Sequence, residues 1–490
     1  MRKQLLRLII GILLVGGIPG FSEAQTAMPP VHAPAADSLR QDFNFLRTLL
    51  NTYYPSLYRY NSKSSMQAML DSCYAAIHEN TTAAGFYKML KALVSSIKDG
   101  HLYVGPPPAV RKYFGDTAVF FPVKLRFINN KVYSMQAMAG RPAGAEILAI
   151  NHRPVARIRE ALFKYIAGDG DITTKKNYVL NSFFHIYYNM VYGNTAAFSV
   201  AVKTAGNAVD TVTLHAVPLK RIPGMRDTPG KLLQCAFRKN NIAVLTISSF
   251  DSATLRNAGF DYRRFLDSAF TAIHRRNAAA LIIDLRGNGG GTDLYGSLLY
   301  AYLTSRPFHY YKSLTAATRQ LPYEQFSRTV SSYNDLTSGM LDSIAPHSYR
   351  LQPQAHTNLQ LLQPAGHHYN GRVLILADGL SYSVTAEFCA VAKSYRRAIF
   401  IGEETGGGYE GNTSAVQIDT VLPASKIPVS FGTIAYTMDV RKPARTGRGT
   451  IPEYIVSPTI DNIIHKRDVQ LEFALKLAAG VPERKSRPRP

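Results

Sequence analysis

Apolar side chains near the start of the chain recur at helical intervals. Leu39, Phe43, Leu46 and Leu50 fall three or four positions apart after Asp37, predicting a helix that Pro55 ends. Residues 64–78 and 82–97 predict two more, with Phe86, Leu90, Leu93 and Ile97 on one face of the second. The pattern stops at Asp99-Gly100-His101. The period then shortens. Val123, Leu125 and Phe127 alternate as in a strand with one buried face, Asn129-Asn130 marks a turn, and Val132-Tyr133 returns. Residues 198–202 and 211–214 predict a second strand pair, and a helix is expected from about Ile158. These elements make a β-rich module of about a hundred residues.

Strands and helices alternate from Asn241 onward. Residues 242–247, 281–285, 373–377 and 398–401 read as strands, and 265–275, 293–303 and 384–393 as helices. The run 281–285 is continuously apolar, as in a parallel strand covered on both faces. Alternation of this kind predicts a layered α/β core. Residues 306–370 have no clean period and many tyrosines, and are expected as an insertion, a lid over the core.

Length and composition fit this division. At about 150 residues per domain, 490 residues suggest roughly three domains, and 46% hydrophobic with 18% charged residues is ordinary for a globular protein. Arg2, Lys3 and Arg7, an apolar run over 8–18 and Ser22-Glu23-Ala24 form a secretory signal with cleavage expected after Ala24. No later run is long enough to cross a membrane. The net charge of +23 comes from scattered basic residues and a basic tail, without a nucleic-acid motif. Cys73, Cys235 and Cys389 allow one disulfide in an oxidising compartment but no dense framework, and no Cys/His cluster suggests zinc. Nothing in the pattern specifies an oligomeric state.

Three glycine-bearing turns carry candidate chemistry. Gly379-Leu380-Ser381-Tyr382-Ser383 joins a strand to a helix, so the Ser383 hydroxyl sits beside free N–H groups at a helix N-terminus. Serine is also a common N-cap, which is the bland reading of that position. Arg286-Gly287-Asn288-Gly289-Gly290-Gly291 lets backbone N–H groups approach an anion, or is simply a tight turn. His101, after a glycine expected to end a helix, titrates in the range a general base needs, or is one ordinary surface histidine among 13.

Together, in this order, these segments resemble the carboxy-terminal-processing (tail-specific) serine peptidases, in the Ser/His branch that includes the tricorn core. AALIIDLRGNGGG (279–291), VLILADGLSYSVTAEF (373–388), AIFIGEETGGG (398–408), KDGHLYVGPP (98–107) and GTIPEYIVSPTID (449–461) carry the resemblance, and GAEILAINHRPV (144–155) is similar to the PDZ module of such enzymes. The resemblance implies an α/β chain, with a ClpP/crotonase-like ββα spiral core at 235–478 holding the 306–370 insertion. A PDZ-like module at 115–220 and an N-terminal helical region at 37–112 precede it. A signal at 1–24, a linker at 25–36 and a basic tail at 479–490 complete the plan.

The implied activity is that of an exported, periplasmic or secreted, serine-type endopeptidase acting on protein or peptide, without metal or organic cofactor, nucleic acid or membrane span after signal cleavage. Ser383 is implied as nucleophile and His101 as base, with Gly290 and Val384 N–H groups as oxyanion donors. Gly408 stands where many relatives carry a dyad lysine, so the base falls to His101. No glutamate occupies the usual orienting position, which leaves Asp439, Glu453 and Glu403 as candidates. The same fold serves binding relatives, so the alternative is a catalytically inactive peptide- or lipid-binding protein. An α/β-hydrolase esterase is a weaker reading, because Ser383 replaces the last glycine of its elbow.

Overall fold

The computed structural model describes residues 34–203, 207–222, 231–337 and 339–480. The expected signal and residues 481–490 lie outside them. Among the described residues no helix is long and apolar enough to cross a membrane.

A six-stranded sheet forms the centre of the α/β core. Leu233–Arg238 runs antiparallel to Ile242–Ile247, and Ala280–Asp284, Arg372–Ala377, Ile399–Gly402 and Tyr454–Ile455 follow in parallel. Leu281 and Ile283 are fully buried in one core and Ile282 in another on the opposite face, as the continuous apolar run requires. The helices Tyr262–Arg275, Asp293–Ala301 and Val384–Ser394 follow their strands as expected. Asp261 accepts the Arg264 N–H at 3.0 Å, satisfying one free donor at the first helix's start.

Residues 306–370 differ from the expectation of a lid. Tyr311–Ala316 pairs with Pro428–Met438 on one side and Ser348–Leu351 on the other, inside a second, antiparallel sheet. The tyrosines that obscured the period are core residues: Tyr310 and Tyr311 are buried, and Tyr311 donates to buried Glu387.

The N-terminal helices are Ala36–Tyr53, Lys63–Ala75 and Ala83–Ile97. Leu39, Phe43, Leu46 and Leu50 are all buried, and burying one such side chain contributes about 1.5–3 kcal/mol. Lys98, not Gly100, ends the third helix in a left-handed conformation, φ 64°. The strand Tyr103–Val104 then joins the second sheet, Tyr103 opposite Ser430 and Val104 opposite Val429.

The β-rich module keeps its own core. Leu125–Ile128, Lys131–Ser134, Glu146–Ile150, Ala197–Lys203 and Val209–His215 form an antiparallel sheet around Phe121, Ile147, Leu180 and Phe198. Asn129 and Asn130 both take positive φ, 47° and 68°, as a tight hairpin demands. Sequence patterning did not reveal the helix Thr174–Tyr192. Leu180, Phe184 and Tyr188 are its buried stripe, diluted by asparagines and tyrosines. Its first turn abuts the core: an added Cβ on Gly379 would lie 2.7 Å from the Thr174 carbonyl carbon.

Candidate active site

Ser383 begins the helix Val384–Ser394 in a conformation that L-residues rarely adopt, φ 53° and ψ −129°. Such a backbone costs about 1–3 kcal/mol and persists only when its surroundings impose it. Here they do. Asp378 Oδ1 accepts N–H bonds from Leu380 at 2.9 Å and from Gly287 and Ser381 at 3.1 Å, and Tyr382 N–H donates to the Asn288 carbonyl at 3.1 Å. Ser381 Oγ donates to the Leu285 carbonyl at 3.0 Å. Three of these five contacts stitch the glycine loop to the serine turn, and two hold the turn itself. Ser383 itself makes no capping bond, so the N-cap reading does not describe it. Ser381 is fully buried and structural.

Gly290 lies against Ser383, where a Cβ would approach Ser383 Cβ and the Tyr382 carbonyl at 2.7 Å, so glycine is required. Its N–H differs from expectation: it already donates to Asn288 Oδ1 at 2.9 Å. Among the described residues, Val384 N–H has no acceptor.

His101 is brought to this turn from the front of the chain. Its ring stacks on Tyr382 at 4.6 Å, and Nδ1 lies 2.8 Å from the Tyr382 hydroxyl. Only 10% of its side chain is exposed, less than a surface histidine would show. Nε2 is buried and, among the described residues, has no hydrogen-bond partner. An orphaned buried nitrogen of this kind costs about 1–3 kcal/mol and calls for a functional reason.

The three acids proposed to orient His101 lie elsewhere. Glu403 accepts the Tyr178 hydroxyl at 2.9 Å, Glu453 pairs with Lys393 at 2.7 Å, and Asp439 faces Tyr395. The carboxylates near His101 are Asp99 and Asp169, which sequence reasoning missed. Asp99 accepts the Tyr54 hydroxyl at 2.5 Å and the His101 N–H at 2.7 Å. Burial alone would raise its pKa, but the neighbouring His101 and the Tyr54 hydroxyl hold it down at about 2. Asp169 accepts Gly100 N–H at 2.7 Å and Gly408 N–H at 3.0 Å.

Donor atoms of Asp99, His101 and Asp169 lie within 4.8 Å of one another, a spacing a cation could bridge. Both carboxylates are already engaged by N–H and O–H donors, and Lys175 supplies a cation: its Nζ sits 3.1 Å from the Tyr382 ring centroid. The cluster is a hydrogen-bonded hub. Burial depresses Lys175 to about 8, against the opposing pull of Asp169 and Asp99. At Gly408 a side chain would meet the Gly411 carbonyl oxygen at 2.8 Å, so the family's lysine position is closed here. All three cysteines are free thiols.

A cleft of about 750 Å³ opens beside Leu380 and Gly287, between module and core, walled by Arg126, Tyr178, Arg286 and Arg467. Arg286 does not reach for a ligand, being clamped by Asp284 and Asp468 at 2.6 and 2.7 Å.

Residues 241–433 match the model of peptidase family S41. That segment is of the peptidase family S41 type. That match spans the glycine loop and the serine turn and makes the chain a serine-type peptidase, of the kind the carboxy-terminal-processing resemblance implied. Mature CPAF is similar over 91% of this chain and 97% of its own, with a TM-score of 0.61 at 14% identity. Mature CPAF complexed with lactacystin is similar over 91% and 98%, with a TM-score of 0.60 at 15% identity. These likenesses extend the shared fold beyond the S41 segment to the N-terminal helices and the module. No curated protein matches the chain.

Proposed function

We propose that this S41 chain is an exported endopeptidase in which Ser383 is the nucleophile and His101 the base. Ser383 Oγ attacks the scissile carbonyl carbon, and its proton passes to His101 Nε2. The C–N bond then breaks as that proton moves to the leaving amine, and water hydrolyses the acyl-enzyme by the same route. Val384 N–H holds the oxyanion, joined by Gly290 N–H once it exchanges Asn288 Oδ1 for the substrate oxygen. One such donor is worth about 3–4 kcal/mol in the barrier. The module at 115–220, read as PDZ-like, presents the substrate chain, and residues 1–24 direct export.

The observation that carries this reading is the strained Ser383 backbone at a helix start, next to the residue that clasps His101. Strain of that sort is maintained where a hydroxyl must be presented, as in the elbow turns of other serine hydrolases. The test combines a fluorophosphonate probe with cleavage of an unfolded protein substrate. Labelling and cleavage are expected in the wild type and absent in Ser383→Ala, and slowed by at least about a thousandfold in His101→Ala. Cleavage that survives Ser383→Ala would overturn the assignment. A folded wild type that neither labels nor cleaves would return the binding-protein alternative.

A further inference from the structure

Among the described residues no carboxylate lies within hydrogen-bond reach of His101 Nδ1. The nearest, Asp99 Oδ1, is 3.7 Å away, beyond hydrogen-bond reach. A phenol stands there instead. Tyr382 Oη is 2.8 Å from His101 Nδ1 and 3.3 Å from Asp169 Oδ1. We propose that Tyr382 and Asp169 together do the work of the missing orienting acid. Asp169 accepts the Tyr382 O–H, the Tyr382 oxygen accepts His101 Nδ1–H, and Nε2 is left with its lone pair. Both are positioning residues, and the proposal rests on His101 being the base.

Proton counting sets the direction of this chain. A carboxylate only accepts, and a phenol has one proton to give. Burial, reinforced by Asp169 and Asp99, pushes the Tyr382 hydroxyl well above its ordinary pKa, so that proton stays on the residue. Once it points at Asp169, the remaining contact on Tyr382 Oη needs a donor, and Nδ1–H is the one at hand. The opposite arrangement, Tyr382 O–H to Nδ1, would leave Asp169 without that donor and put the imidazole proton on Nε2, where no acceptor exists among the described residues.

Electrostatics favours the same tautomer. Two buried carboxylates, Asp99 and Asp169, have donor atoms within 4.8 Å of that of His101, against one ammonium, Lys175, over the Tyr382 ring. With both acids ionised and Lys175 protonated the hub carries one net negative charge, which an imidazolium formed during proton transfer would neutralise. Asp169 is itself pinned by Gly100 and Gly408 N–H groups, so the relay is anchored at both ends by backbone. Because Tyr382 directly precedes Ser383, one residue orients the base and fixes the nucleophile's turn.

The test reads the tautomer separately from activity. In the full chain labelled with nitrogen-15 histidine, the His101 signals are assigned by their loss in His101→Gln. Near neutral pH the wild type and Ser383→Ala are expected to show a protonated Nδ1 and an unprotonated Nε2. Tyr382→Phe and, as a second variant should the first fold poorly, Asp169→Asn are expected to lose that state. In parallel, kcat should fall roughly 10²–10⁴-fold in Tyr382→Phe with KM little changed, the pattern of a misheld base. A wild-type His101 protonated on Nε2, or a Tyr382→Phe protein with unchanged tautomer and kcat, overturns the proposal. If Ser383→Ala still cleaves, the nucleophile assignment falls, while the tautomer measurement still decides the relay.

Discussion

Tyr103 lies opposite Ser430 in antiparallel register, just beyond His101, and this pairing is what carries an N-terminal histidine to a C-terminal serine turn. The residue after this two-residue strand seals the pairing: Gly105 N–H donates to the Pro428 carbonyl at 2.9 Å. An added Cβ on Gly105 would lie 2.8 Å from Pro428 Cγ and 3.0 Å from the Tyr103 ring, and the Pro428 ring, fixed on the partner strand, does not yield easily. Gly105→Ala is therefore expected to lift the strand and with it His101. A misplacement of about 1 Å can cost up to a hundredfold in rate, so peptidase activity should fall tenfold or more. Overpacking should cost about 1–3 kcal/mol in urea unfolding, leaving the protein folded. Wild-type kcat in this variant would show that the strand does not position the base.

Two serines flank Tyr382, and the structure gives them different duties. Ser381 Oγ donates to the Leu285 carbonyl and accepts Asp378 N–H at 3.1 Å, both within the buried turn. Ser381→Ala strands both partners and should cost about 1–3 kcal/mol of stability. Fluorophosphonate labelling of its folded fraction should persist. Loss of labelling from well-folded Ser381→Ala would move the nucleophile or part of its support to that residue.

The strain at Ser383 can be measured as stability. Ser383→Ala keeps the positive φ and its cost, while Ser383→Gly relieves it. Glycine repays part of that relief through the greater freedom of the unfolded chain, roughly 0.5–1 kcal/mol. Both variants should be inactive, and Ser383→Gly should be the more stable by about 1 kcal/mol in urea. An alanine variant equal to or firmer than the glycine one would mean that the backbone is not under load.

The parts of this architecture that were legible in the sequence are those with a repeating period. Leu39 to Leu50 and Leu281 to Ile283 announce a helix face and a doubly covered strand because burial imposes a spacing on them. Ser383 and His101, whose roles are proposed above, stood out because each sits in a motif that contains glycine. The partners of His101 have no period to betray them. Tyr382 and His101 are 281 positions apart in sequence, and tertiary contacts, the strand pairing of Tyr103 among them, bring them together. Asp169 did leave a trace: it lies in Gly168-Asp169-Gly170-Asp171, and Gly170 takes φ 53° with Gly447 O only 2.3 Å from where a Cβ would be. Alternating glycines of that kind mark a close backbone approach. Lys175 left none, since its helix was hidden by polar residues. The tyrosine-rich stretch misled for a related reason: tyrosine counts as half polar in a pattern, yet Tyr310 and Tyr311 are fully buried, the latter bonded to a buried acid.

That acid, Glu387, ties stability to pH. It lies one turn beyond Ser383, and its carboxyl accepts Asn412 Nδ2 at 2.7 Å and the Tyr311 hydroxyl at 2.8 Å. Burial, and next the charge of Asp293, push its pKa from 4.5 to about 8, the two hydrogen bonds only partly offsetting them. Between those values the unfolded chain has released the proton and the folded chain still holds it. The folded state binds more protons there, so stability is highest below the unfolded pKa and declines as pH rises through the folded one, by up to about 1.4 kcal/mol per unit. Glu387→Gln removes the titration while preserving the shape. The wild type should lose a few kcal/mol more than Glu387→Gln when urea unfolding is compared at pH 5 and pH 8, and the variant should be the more stable at pH 8. Parallel pH slopes in the two proteins would show that Glu387 is ionised throughout, and that the helix behind Ser383 carries a charge at its core.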